Sequence, residues 1–173
     1  MKRICILACS LAVCTVAQAK EVTVDINRIS DQGVGDKIGE ITISDSAKGA
    51  TFKVAVTGLP KGEHGFHVHE NGDCGPGEKD GKIAAGLAAG GHFDPAATKS
   101  HKGPHGEGHR GDTPKLNATD DGIEQTVTAP KLKLADIAGR SLMIHEGGDN
   151  YSDNPENGGG KGRIACGVIP KIQ

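Results

Sequence analysis

The sequence predicts an all-β protein, a sandwich or flattened barrel of about eight short antiparallel strands. Three observations lead there. Short stretches alternate apolar and polar residues, Gly/Asn/Asp-rich turn signals separate them, and helical periodicity is scarce from end to end. Glu21 to Ile29 (EVTVDINRI), Lys37 to Ile43 (KIGEITI) and Thr51 to Val56 (TFKVAV) read as the first strands, with DQGVG and DSAKGA as the turns between them. Leu59-Pro60-Lys61-Gly62 then breaks the pattern.

Gly65 to Glu70 (GFHVHE) is the next strand. Neighbouring side chains on a strand point to opposite faces, so His67 and His69 share one face and Phe66 and Val68 the other. Two imidazoles on a rigid strand make a platform for a metal ion, although an isolated HxH also occurs by chance in many sheets. Asn71 to Gly91 reads as a long Gly/Ala-rich connection carrying Cys74. Beyond it, Leu116 to Asp121 looks irregular, Ile123 to Thr128 is a strand, and Ala129 to Gly139 has room for a helical turn. Ser141 to Glu146 (SLMIHE) is a strand ending near His145, Asn150 to Gly162 is a polar loop, and Arg163 to Ile169 (RIACGVI) is the last strand.

One stretch fits no element. His92 to Asp112 (HFDPAATKSHKGPHGEGHRGD) carries His92, His101, His105, His109 and two aspartates among Gly and Pro. It lacks the apolar periodicity of a core strand or helix, and an ordered loop of this length needs something to hold it. Three His and one Asp match a closed tetrahedral zinc site. Taken alone, the stretch also fits a His-rich surface loop.

The first 19 residues read as a secretory signal: Lys2 and Arg3, an apolar run from Ile4 to Val16, and Ala17-Gln18-Ala19 as the small-x-small cleavage pattern. Lipid attachment at Cys14 is the weaker alternative, because Val13 suits the position before a modified cysteine poorly. Cleavage after Ala19 leaves residues 20–173 as one domain in an oxidising, periplasmic-type compartment. Cys5, Cys9 and Cys14 leave with the signal, so Cys74 and Cys166 are expected to form a disulfide worth roughly 4–5 kcal/mol in the chain-entropy model. Without Lys2 and Arg3, 18 basic residues face 22 acidic ones. That balance, with no basic run and no aromatic interleaving, argues against nucleic-acid binding. No apolar segment is long enough to span a bilayer.

Taken together, GFHVHENGDC at 65–74, GGHFDP at 90–95, HRGD at 109–112, LMIHEGGDN at 142–150 and GRIACGVI at 162–169 resemble the bacterial periplasmic copper/zinc superoxide dismutases. The resemblance covers nearly the whole chain after the signal, in the family's order. It implies a Greek-key barrel with long metal-binding and electrostatic loops. It further implies copper on His67, His69, His92 and His145, and zinc on His92, His101, His109 and Asp112, one ion of each per chain, with His92 shared. Asp149 then links His67 to His101, Arg163 is the active-site arginine, and His64 is a structural histidine. His105 matches no ligand position.

The implied reaction is dismutation of superoxide to O₂ and hydrogen peroxide by a copper that cycles between oxidation states, with zinc ordering the loop. A periplasmic copper/zinc buffer or delivery module on the same scaffold is the rival reading. It leaves a guanidinium at position 163 without a purpose. Residue by residue, Arg163 could instead pair with an acid, and Asp112 could cap a turn. The choice between monomer and homodimer, and the lysines that steer substrate, are not legible; the 150–162 loop holds Asp153, Glu156 and Lys161 as its charges, and Lys79 and Lys82 sit in a different loop.

Overall fold

The computed structural model describes residues 20–172, so the expected signal and Cys14 lie outside the described residues. In chain order the strands are β1 (Glu21–Ser30), β2 (Gly33–Ser46), β3 (Gly49–Val56), β4 (Gly62–His64), β5 (Phe66–His69), β6 (Gly77–Lys79), β7 (Lys82–Ala84), β8 (Leu116–Ala118), β9 (Ile123–Ala129), β10 (Ser141–His145) and β11 (Arg163–Val168). A single helical turn, α1 (Leu134–Ile137), falls within the segment expected to hold one.

Seven strands form one curled antiparallel sheet in the order β5-β10-β11-β1-β2-β3-β9. β4 and β5 are one strand interrupted at Gly65. β4 pairs with β8, and β8 turns back into β9 through the Thr119–Gly122 hairpin. The two ends of the sheet are thereby brought together, as closure of a barrel requires. The connection from β3 to β4 crosses from one end of the sheet to the other, which gives the Greek-key path.

The alternation read from the sequence decides what the barrel encloses. Val24, Ile26, Ile41, Ile43, Phe52, Val54, Phe66, Val68, Leu142 and Ile144 point inward and are fully buried. Phe52 and Phe66 meet edge to face at 5.5 Å. Each such side chain contributes roughly 1.5–3 kcal/mol through burial. On the outer face of β10 and β11, Met143 and Cys166 pack with Ile29, Cys74 and Ala89 in a smaller cluster under the 71–91 connection. The expected disulfide is present: Cys74 and Cys166 are bonded, with Cα atoms 5.7 Å apart.

Three local readings change. The turn at DQGVG shrinks to Asp31-Gln32, because Ser30 pairs directly with Gly33. Residues 116–118, read as irregular, form β8 because Leu116 and Ala118 alternate into the core around exposed Asn117. The 71–91 connection carries a small hairpin, β6 against β7, that no alternation announces.

Candidate metal centre

β5 fixes the first two imidazoles. His67 and His69 point away from Phe66 and Val68, toward the face covered by the long loops. Both are fully buried. The His-rich loop is strapped to the same strand by both of its ends. Val68 accepts from the Phe93 N–H at 2.8 Å and donates to the Gly111 carbonyl at 2.9 Å, while Gly111 donates to the Phe93 carbonyl at 2.8 Å. This clamp sets His92 opposite His69 and Asp112 opposite His67. It demands glycine at 111, where a Cβ would lie 2.2 Å from the Val68 carbonyl oxygen. His145 joins from the end of β10, next to an irregularity in its register with β11 that re-aims the strand end.

Two groups of side chains result. In the first, His67, His69, His92 and His145 bring one donor atom each to within 4.8 Å of one another. The outer nitrogens of His67 and His69 are engaged: His67 Nε2 donates to Asp149 at 2.8 Å and His69 Nδ1 to the Gly90 carbonyl at 3.0 Å. Their inner nitrogens, His67 Nδ1 and His69 Nε2, are buried without a hydrogen-bond partner, as are both nitrogens of His145. Each such orphan costs about 1–3 kcal/mol, an expense that a cation at the centre removes. Burial holds His67, His69 and His145 below the usual imidazole range, and lowers His92 to about 3. Neutral imidazoles with lone pairs turned inward are the form a metal needs.

In the second group, Asp112 Oδ1 lies 3.0 Å from Nδ1 of His92, 3.0 Å from Nδ1 of His101 and 3.3 Å from Nδ1 of His109. Four ligands at about 2.0–2.1 Å in a tetrahedron have edges of about 3.3 Å, so the spacing suits zinc. Asp112 Oδ2 is turned away and accepts from the Lys102 and Gly103 N–H groups at 3.1 and 3.2 Å. Burial opposes the Asp112 charge, but His101, His109 and His92 hold the carboxyl well below its ordinary range. Burial likewise opposes charge on His101, yet Asp112 and Asp149 raise it to about 9.

His92 belongs to both groups. Asp149 joins them from behind, accepting from His67 Nε2 and His101 Nε2 at 2.8 Å each. The 150–162 loop is wound tightly over this link. Gly158, at φ 74°, leaves no room for a Cβ, which would lie 2.1 Å from Asp149 Oδ1. His64, buried, sets its ring nitrogens against the carbonyls of His145 at 2.6 Å and Pro60 at 2.7 Å, bracing the end of β10.

Arg163 does not take an acid as its partner. Its guanidinium donates to the Gly86 carbonyl at 2.5 Å and the Gly90 carbonyl at 2.8 Å. The Gly90 oxygen is also the acceptor for His69, which couples the arginine to the first group. Arg163, His92 and His145 line one polar cleft of about 570 Å³. Three lysines share that lining: Lys79, Lys99 and Lys161. Lys99 had no signal in the sequence, because its position at the cleft depends on the fold-back of the His-rich loop. His105 is exposed and outside both groups.

A family profile described as copper/zinc superoxide dismutase (SODC) matches residues 37–169. The chain belongs to the copper/zinc superoxide dismutase family. It is an enzyme of that type, and the family's copper and zinc suit the donor sets just described. Among relatives, the Cu-Zn superoxide dismutase of Brucella abortus is 52% identical over 172 residues, covering 98% of this chain and 99% of its own. A solved Cu/Zn superoxide dismutase from Brucella abortus superposes with a TM-score of 0.85 at 55% identity, over 87% of this chain and 99% of that one. The solution structure of the monomeric copper, zinc superoxide dismutase from Salmonella enterica gives 0.78 at 49% identity, with coverage of 87% and 99%. No helix among the described residues is long and apolar enough to cross a membrane.

Proposed function

We propose that His67, His69, His92 and His145 hold copper, that His92, His101, His109 and Asp112 hold zinc, and that the shared His92 ring joins the two in superoxide dismutation. The observation that carries this reading is the membership of His92 in both groups, combined with the buried unpartnered nitrogens that surround each centre. When bound, copper supplies the one-electron chemistry that turns two superoxide ions and two protons into O₂ and hydrogen peroxide, while zinc contributes fixed charge.

The protein's own part is binding, orientation and proton handling. Arg163, permanently charged and held by two carbonyls, draws a small anion into the cleft and orients it beside His92 and His145. With Nδ1 of His92 turned to Asp112, its Nε2 is the atom available to the first group and to a proton. The depressed proton affinity of this buried ring favours handing such a proton on. Asp149 keeps His67 and His101 in the tautomer that leaves their Nδ1 atoms free to ligate.

Export also belongs to this reading. Residues 1–19 act as a cleaved signal and residues 20–173 as the enzyme domain, and the Cys74–Cys166 bond suits the periplasm. The delivery-module reading is less well supported, since transfer of copper has no use for an anion-attracting arginine in the cleft.

Metal analysis of the purified chain, with superoxide decay followed by pulse radiolysis, tests the proposal. One copper and one zinc per chain are expected, with rapid decay that disappears on chelation and returns with copper. Arg163→Ile at unchanged metal content is expected to lower kcat/KM roughly tenfold or more. A fully loaded protein that leaves superoxide untouched sinks the proposal in favour of metal delivery.

A further inference from the structure

We propose that Lys131 is a built-in cation that holds the 103–109 segment in its zinc-receiving shape, and so is a positioning residue for His101, His109 and Asp112. The Lys131 ammonium donates to three backbone carbonyls of the loop: Gly103 at 3.1 Å, Gly106 at 2.9 Å and His109 at 2.9 Å. An ammonium has three hydrogens, and all three are used. Residues 103–109 contain no strand or helix, so their carbonyls depend on partners from elsewhere.

Two of the three carbonyls sit next to the ligands themselves. His109 is a member of the zinc group. Gly103 is gripped at both ends, its N–H by Asp112 Oδ2 at 3.2 Å and its carbonyl by Lys131. A single residue therefore separates the ammonium from the carboxylate that faces the ion. The partly buried ammonium is desolvated, which lowers its pKa but strengthens each of its hydrogen bonds.

The grip is mutual. Arg110, on the same loop, donates through Nε to the Lys131 carbonyl at 3.0 Å and forms a 2.6 Å ion pair with Asp136 in α1. The segment after β9 is anchored in turn to the barrel. Ala129 and Leu132 are fully buried, and the Leu132 carbonyl accepts from the Ala50 N–H at 2.8 Å. Rigidity passes from barrel wall to Lys131 to the loop carbonyls, so zinc meets ligands that are already ordered. An apolar side chain at 131 leaves three carbonyls without their donor, and the ordering cost then falls on metal binding.

The inference rests on the zinc reading of His92, His101, His109 and Asp112, and the test separates the two. Native protein, Lys131→Met and Lys131→Gln are stripped of metal. Zinc and copper affinities are measured by chelator competition, and the absorption of cobalt(II) in the zinc group is recorded. Native protein should give the intense visible bands of tetrahedral cobalt. Lys131→Met should bind zinc roughly 10–100-fold more weakly, with copper affinity changed less and the cobalt bands weakened or shifted. Lys131→Gln, which keeps two donors, should fall between them.

Zinc affinity within twofold of native in Lys131→Met overturns the clasp alone, and so does an equal loss of copper and zinc. Absence of tetrahedral cobalt bands in native protein overturns the zinc reading and the clasp with it. Should Lys131→Met fail to fold, Lys131→Gln decides. Weaker zinc binding with faster amide exchange confined to 103–109 supports the clasp; native affinity refutes it.

Discussion

Replacing Asp149 by Asn exchanges a single oxygen for an NH₂ group and ought to disturb both metal groups. The carboxylate accepts one hydrogen bond from His67 and one from His101, each 2.8 Å long, and its side chain is fully buried. An amide of the same shape has one acceptor and one donor. Whichever way it turns, its NH₂ faces an imidazole N–H at hydrogen-bond distance. That ring relieves the clash by moving its proton to Nδ1, the atom aimed at the metal group. One of the two histidines is thereby removed as a ligand. Hydrogen bonds to charged groups are worth about 1.5–3 kcal/mol each, and loss of such an acceptor behind a metal-bound His typically costs 10–100-fold in affinity, or roughly 1.4–2.7 kcal/mol. Chelator competition for copper and zinc measured separately on Asp149→Asn should show at least one affinity reduced by that factor. If both metals bind within threefold of native, the tautomer argument fails.

Other expectations follow from the same geometry. Reversing charge at the cleft lysines (Lys79→Glu, Lys99→Glu or Lys161→Glu) should lower kcat/KM roughly two- to fivefold each at low ionic strength, with a flatter salt dependence; unchanged salt dependence in all three denies them a steering role. The metal-free protein should lose stability in acid. His92 is lowered to about 3, so as pH falls below 6.5 the unfolded chain takes up a proton that the folded one refuses, worth about 2 kcal/mol between pH 7 and 5 from this residue alone. His101, raised to about 9, works in the opposite direction, and its contribution is lost as pH rises from 6.5 through 9. Urea midpoints at pH 5, 7 and 9 should therefore peak near neutrality; a midpoint that rises from pH 7 to 5 contradicts the assignment. Removing the disulfide in a Cys74→Ser, Cys166→Ser double variant should cost about 4–5 kcal/mol in denaturant unfolding, from its 92-residue separation. It should also lower activity at matched metal content, because Gly86 and Gly90, which hold Arg163, lie in the tethered connection; native activity at full metal loading argues against that coupling.

The strands were legible because alternation is a local signal. Ile41 and Ile43, or Phe66 and Val68, declare their buried face within five residues of chain. β4, β6, β7 and β8 were missed because three residues carry too little pattern to stand out from a loop. The side chains of the two candidate metal groups were legible for another reason: imidazoles are rare enough that HVH and the 92–112 stretch stand out as chemistry. Lys99, Lys131 and Arg110 carry no such mark, being ordinary charged residues whose importance lies in what they touch.

By itself, then, the sequence determined which residues turn inward, and which residue types are present to hold metal and to form a disulfide. Only the tertiary structure decided that the two ends of a 21-residue loop dock on Val68, so that His92 meets both groups and Asp149 reaches behind each. The reason is physical: burial pattern repeats every two residues and is written along the chain. A carbonyl's hydrogen-bond partner, or a metal site's edge lengths, depends on residues far apart in the chain, 82 positions in the bond between His67 and Asp149, and exists only once the barrel has closed.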